Sequence, residues 1–516
     1  MTKDAPPAAR RDTQGVGRVD REQRVQKAKL TPGPAPDRAE VPTIGLVAVT
    51  AVVMGNMIGA GIFTIPNQIG QYGWYGIAAF VITAVGALLL GLVFARLARR
   101  IPETGGPYAY TKAAFGSFPG FWIAWGYWIG LWTGQVAIAV TFCDYVGIFA
   151  PIFRENMYWN AALAFAALWA VTGINLRGVA AAGGVAIVTT VIRVIPLLAI
   201  ATVGWAFFHP SNYAPSLPSG VTAFGAISTA AAITLFSFLG LESGTVPAGN
   251  VREPGRTIPR ATIIGILVVA SLYIASTTVV MGVLDVGQLT GGSGTAFADA
   301  GRAMWGDAGY YLVGAAGVVS TLGALSGFTL LSGQVPYAAA ADLLFPAWFS
   351  WKNRFDAPWF GIVASTVLVS VFMGAGYIVI WLQGAQGSTR GLNSASILIA
   401  TLTTVLPYAF CSIAEVILIV RDKAAGKTTH IAKLLVIPGI AFVYSLYIVK
   451  GAGASSIVWG LFLMLFGLPL YAFLQNRAAA GPEAARALGV AAGPQTAGAP
   501  AAGTPAAGPA PERPAG

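Results

Sequence analysis

The sequence predicts an all-α membrane protein of twelve transmembrane helices, and three observations carry that prediction. The chain of 516 residues is 56% hydrophobic and only 10% charged, whereas soluble domains are about 25% charged. Apolar runs of about 20 residues, enough to cross a hydrocarbon core of about 30 Å, recur along nearly its whole length. Two of these runs, the first and the sixth, are interrupted by glycines and polar residues where a plain span would be continuous.

Taken in order, the expected spans cover residues 42–66, 75–98, 119–150, 158–174, 182–208, 222–247, 260–284, 308–337, 358–382, 393–420, 432–449 and 455–475. Residues 42–476 therefore form one twelve-helix domain. Residues 1–41 are polar, basic and rich in Pro and Ala, so they read as a disordered tail rather than a signal peptide. Residues 477–516 are low-complexity Ala/Pro/Gly and read as a second disordered tail. Cys143 and Cys411 both lie in apolar spans, and His209 and His430 are isolated. No disulfide framework, metal site or cofactor is expected from them.

The net charge of +11 does not point to nucleic acid, because its distribution follows the membrane. Nine of the 31 Lys and Arg lie in the N-terminal tail and fourteen in loops after even-numbered spans, against four in loops after odd-numbered spans. That bias places both termini in the cytoplasm.

The first interruption is "GNMIGAGIF", residues 55–63, and the second is "TLFSFLGLESGTVPAGN", residues 234–250. Glycine costs about 1 kcal/mol in a helix interior and proline about 3, so neither stretch is built to remain helical. Gly55-x-x-x-Gly59 also fits plain helix packing. Matched breaks in two halves, however, point to a membrane site. Five spans separate the two breaks, so the copies cross in opposite directions. The expectation is a five-plus-five inverted repeat with broken helices 1 and 6, plus two C-terminal helices. Half-helices meeting in the bilayer offer N–H groups at a positive dipole end and C=O groups at a negative one. An α-amino acid zwitterion matches both without any charged side chain.

Four charges fall inside spans, where burial is expensive. Glu242 lies within the second break, either as a gate or proton-linked group or as a cap for freed N–H groups. Asp144 and Glu415 are expected to reach the interfaces, with no role assigned. Arg193, mid-way along the fifth span, keeps its proton and so cannot carry one. It can serve as a fixed cation on broken-helix carbonyls, in place of a sodium ion, or simply snorkel.

"GNMIGAGIF" and "RIPETGGPYAYTKAAFG", with "FSFLGLES", "NVREPGRTIPRA", "GFTLLSGQ", "AADLLFP" and "VLPYAF", resemble the amino acid–polyamine–organocation superfamily over about residues 42–475. The similarity is greatest to the basic amino acid/polyamine antiporters typified by the arginine/agmatine antiporter. The resemblance implies a substrate carboxylate on the N–H groups of Ala60 and Gly61, and an α-ammonium on the carbonyls of Met57, Phe236 and Leu239. It implies side-chain specificity from Gly130, Leu131, Gln135, Ile138 and Phe328, and a cytoplasmic gate of Tyr127, Glu242 and Tyr408. It also implies Arg193 in the place of a second sodium ion, and commonly a homodimer. Ala60 stands where the antiporters usually have Ser, and Phe236 and Phe328 where the arginine/agmatine antiporter has Trp. Cation–π attraction is best on Trp, so a cationic side chain would be held less well here.

The expected function is secondary-active, sodium-independent amino acid transport in the inner membrane by alternating access. Exchange against the corresponding amine or another amino acid comes first, and proton symport of a neutral amino acid second. A receptor or channel on the same fold is the alternative class. No nucleophile–base pair or phosphate loop suggests an enzyme.

Overall fold

The computed structural model describes residues 45–102, 105–213, 217–245, 251–291, 294–384, 389–426 and 431–479, with backbone alone for 179–189 and 477–479. The two sequence tails fall outside the described residues, except that the last helix, Gly467–Ala479, runs slightly past the expected boundary at 476. Pro247 in the second break and His430 also lie outside them.

Every regular element among the described residues is helical. Twelve stretches are long and apolar enough to cross a membrane: Leu46–Tyr72, Trp74–Arg100, Ser117–Val146, Met157–Asn175, Thr190–Phe207, Ala223–Thr245, Pro254–Val283, Ala296–Ala341, Trp359–Leu382, Arg390–Ala424, Ile431–Gly451 and Gly453–Asn476. The chain is a multi-pass membrane protein. The eighth stretch is two helices meeting at Gly306, whose φ of 68° interrupts the helix. The membrane-length part thus begins just past Gly306, close to the 308 expected from the apolar run.

The third span is the axis of the bundle. In its most apolar window 89% of the residues are buried, against 17% in the twelfth span. It packs chiefly against the eighth and tenth spans, and its glycines set how closely. A Cβ on Gly126 would lie 2.9 Å from Met464 Cε, and one on Gly130 would collide with Thr404. Helix surfaces bearing only hydrogen at such positions let backbones approach closely, which lipid-embedded helices use in place of a hydrophobic driving force.

Polar contacts pin one end of the bundle. Arg96 on the second span pairs with Glu415 on the tenth at 3.2 Å, and Arg100 with Asp422 at 3.3 Å. Between the second and third spans, the short helix Pro107–Phe115 is held from two sides. Lys112 pairs with Asp342 at 2.8 Å, and the Tyr108 hydroxyl donates to the same carboxylate. Arg421 donates to the carbonyls of Ala113 and Ala114, at 3.2 and 2.9 Å.

Glu415, expected to reach an interface, has a side chain fully buried within the protein, and Arg96 makes that burial tolerable. Asp144 is half-buried, with the Arg154 guanidinium on its own backbone carbonyl at 3.0 Å.

Removing one partner of a buried pair strands a charge. Arg96→Ala should therefore lower stability by about 1–3 kcal/mol, the lower part of the usual range because Arg96 is 30% exposed. Thermal unfolding in detergent should show the fall, and Glu415→Gln added to the same chain should recover part of it.

Candidate substrate site at the two helix breaks

The first span stops being helical where its glycines cluster. Helix Leu46–Met57 ends, Ile58 and Gly59 are non-helical, and helix Ala60–Ile69 begins. The sixth span breaks in a different way. Helix Ala223–Leu235 passes into a 3-10 turn at Phe236–Phe238, Leu239 is extended, and a second 3-10 turn follows at Ser243–Thr245. Gly240, between the turns, has a φ of 100°, a conformation costly to any residue with a Cβ.

The two breaks lie against each other in opposite directions. A Cβ on Gly61 would come 2.7 Å from Ser237 Cα, one on Gly240 2.9 Å from Asn56 Cβ, and one on Gly244 2.9 Å from a Val53 methyl. As numbering rises along one break it falls along the other. Glycine is required at Gly61 for this approach, since backbone stands in the way of any side chain.

The freed backbone groups divide by sign. Among the described residues, the N–H groups of Ala60 and Gly61 have no hydrogen-bond partner, as expected for the first turn of a helix. The carbonyl end of the preceding half-helix is well supplied with donors. Arg193 Nη1 donates to Gly55 O at 2.7 Å and also to Ile58 O. Met57 O accepts from the Gly59 N–H at 2.8 Å and from the Tyr273 hydroxyl at 2.7 Å. Phe236 O accepts the Leu239 N–H at 3.3 Å, and Leu239 O accepts no bond among the described residues.

A small cavity opens at this junction, lined by Asn56, Met57, Gly59, Ala60, Gly61, Ile138, Phe236, Leu239, Ala324 and Phe328. Its volume of about 10 Å³ is room for roughly one water molecule. Seven of the ten residues expected to line a substrate site are here: Met57, Ala60, Gly61, Ile138, Phe236, Leu239 and Phe328.

Three expected residues lie elsewhere. Gly130 faces Thr403 and Thr404 of the tenth span, and Leu131 is buried without lining the cavity. Gln135 is turned to the eighth span, accepting the Thr329 hydroxyl at 2.9 Å and donating to Leu131 O at 3.4 Å.

Helical spacing would have found what was missed. Ala324 is one turn before Phe328, and Gly134 one turn before Ile138, so each pair shares a face. A Cβ on Gly134 would meet Phe328 Cε1 at 3.3 Å and Phe236 Cε2 at 3.6 Å. Tyr273 carried no such signal, since only folding brings the seventh span to Met57.

Three residues beyond Leu239 in the sixth-span break, Glu242 is fully buried. The Tyr127 hydroxyl donates to one of its carboxylate oxygens and the Tyr408 hydroxyl to the other. The three spans expected to meet at a gate are thus joined through one carboxyl group. Among the described residues no group of His, Cys, Asp and Glu is arranged to hold a metal ion.

This geometry can be set beside known proteins. The profile of the family described as "Amino acid permease" matches residues 44–462, most of the chain. The chain belongs to that family. It is a transporter, not an enzyme. The permease is 30% identical to a putative arginine/ornithine antiporter of Bacillus subtilis over 468 residues, covering 84% of this chain and 97% of that one. It is 30% identical to the arginine/ornithine antiporter of Pseudomonas aeruginosa over 437 residues, covering 83% and 90%. With the cadaverine/lysine antiporter of Escherichia coli it shares 32% over 368 residues, covering 71% and 82%.

Gly61→Val tests the site. It should leave insertion and expression intact while reducing substrate-dependent thermal stabilisation at least tenfold in apparent affinity, because a branched side chain would meet Ser237 backbone. Wild-type affinity in this variant would displace the site from the breaks.

Proposed function

We propose that the permease exchanges an amino acid for its amine or for another amino acid by alternating access, without sodium. The observation that carries this reading is the pair of facing breaks, with unpartnered N–H groups at Ala60 and Gly61 and carbonyls at Phe236 and Leu239 across the cavity. An α-carboxylate suits the first set and an α-ammonium the second. The antiport named for the three relatives supports exchange over uniport.

Arg193 supports independence from sodium. The carbonyls of Gly55 and Ile58 are hard oxygen ligands at a negative helix end, and the guanidinium already occupies them. A fixed cation there supplies what a sodium ion would otherwise bring. Tyr127, Glu242 and Tyr408 then act as the gate on the cytoplasmic side. The basic loops support cytoplasmic termini, the inner membrane is the proposed location, and a homodimer the proposed assembly.

A second reading, proton symport of a neutral amino acid, draws support from the buried Glu242 carboxyl, a group that can take up and release a proton as the gate opens. The two readings separate by experiment.

Purified protein in liposomes should take up a labelled amino acid equally well in sodium and choline buffers. Uptake should rise several-fold when unlabelled amino acid is loaded inside. Uptake driven by an inward proton gradient into empty liposomes would favour symport instead. If the Glu242 carboxyl takes up and releases a proton during the cycle, Glu242→Gln should alter the pH dependence of transport, and an unchanged profile would leave Glu242 a structural role only.

A further inference from the structure

We infer that the site selects amino acids with a neutral, apolar side chain, held in a slot between Phe236 and Phe328 over the bare backbone of Gly134. This rests on the transport reading above and departs from the basic substrates named for the relatives.

The cavity wall supplies no charge. Of its lining residues only Asn56 carries a polar side chain, and that one is uncharged. With the carboxylate placed at Ala60 and Gly61, the ligand's side chain extends toward Ile138 and Phe328 on the third and eighth spans. Gly134 lies at the foot of that wall, with both phenyl rings within 3.6 Å of where its Cβ would be. In this conformation the rings fill the slot, and a side chain enters by displacing them.

Apart from the Asn56 amide, the buried polar side chains of Gln135 and Glu242 on the adjoining spans are already committed. Gln135 spends its amide on Thr329 and Leu131 O. Glu242 has a tyrosine hydroxyl on each carboxylate oxygen. The fixed charge bound to the first break is positive, with Arg193 on the carbonyls flanking Met57. A guanidinium or second ammonium would therefore lose its water, find no carboxylate on the wall, and gain only two phenyl faces and the uncharged Asn56 amide. Phenylalanine is a weaker cation–π partner than Trp, and a buried cation without a paired anion is strongly disfavoured. A neutral aliphatic or aromatic side chain loses nothing on entry and buries apolar area against both rings.

The test uses the full chain in liposomes preloaded with unlabelled amino acids, with labelled leucine, methionine, phenylalanine, alanine, arginine, lysine, ornithine, cadaverine and putrescine outside. The neutral large amino acids should exchange at least tenfold faster than any cationic substrate at equal concentration. Faster exchange of arginine, lysine, ornithine or a diamine would overturn the inference and leave the transporter reading standing. No uptake of any substrate would overturn the reading itself.

Three variants locate the slot. Gly134→Ala should lower the phenylalanine-to-alanine uptake ratio, since the added methyl meets the Phe328 ring at 3.3 Å. Phe328→Trp should raise the uptake of lysine and arginine relative to leucine, and Ile138→Asp should raise it further. Ratios unchanged in Gly134→Ala and Phe328→Trp, both mild enough to fold, would remove the slot from these residues.

Discussion

An unpaired backbone group in hydrocarbon costs several kcal/mol, and that constraint organises this protein. Two spans surrender their helical hydrogen bonds at mid-course, so every freed group must be accounted for. On the carbonyl side the protein does so itself. Arg193 holds Gly55 O and Ile58 O, and Tyr273 holds Met57 O. On the amide side Ala60 and Gly61 are left open beside the cavity. The break is asymmetric, with three carbonyls at its negative end held by side-chain donors and the N–H groups at its positive end open. On the proposed reading, the open N–H groups are where a carboxylate would bind.

The same asymmetry refines which groups can receive an ammonium. Resemblance to the antiporters implied three carbonyls, but Met57 O already carries two donors, filling both lone pairs. Phe236 and Leu239, on the other break, retain capacity. The two ends of a zwitterion would then be divided between the breaks, carboxylate to the first and ammonium to the sixth. A ligand that must touch both spans couples their relative position to its own presence.

Much of this was legible in the sequence because one physical signal dominates. Apolar runs reported all twelve spans, with several ends displaced by four to six residues, and even the start of the eighth span, hidden inside a longer helix, followed from where the run begins. Clustered glycines reported the breaks, since no other residue permits a φ of 100° at Gly240 or the approach of Gly61 to Ser237. What stayed hidden depended on partners far apart in the chain. Gln135 looked like a polar site residue until its partner Thr329 was seen, and nothing local to Glu415 announced Arg96 on the second span as its partner. Tyr273 gave no sign at all, because a tyrosine in an apolar span is usual and its carbonyl partner is 216 residues away. Local pattern encodes where a helix fails, and only the fold decides who answers for it.

Along the third span, Gly126, Gly130 and Gly134 recur every four residues, and each would bring a Cβ within 3.6 Å of the tenth span, though only Gly130 has that span as its nearest neighbour. Interlocking side chains would fix these helices in one register, like teeth. Here the interlock is one-sided, the Thr403 and Thr404 side chains of the tenth span seating against the bare backbone of Gly130. Tyr408 rides on that helix while its hydroxyl is fastened to Glu242. Asn393 of the same helix also donates to Thr141 of the third span at 3.0 Å, so the Tyr408–Glu242 bond is one of several polar restraints that any sliding of this helix would have to release.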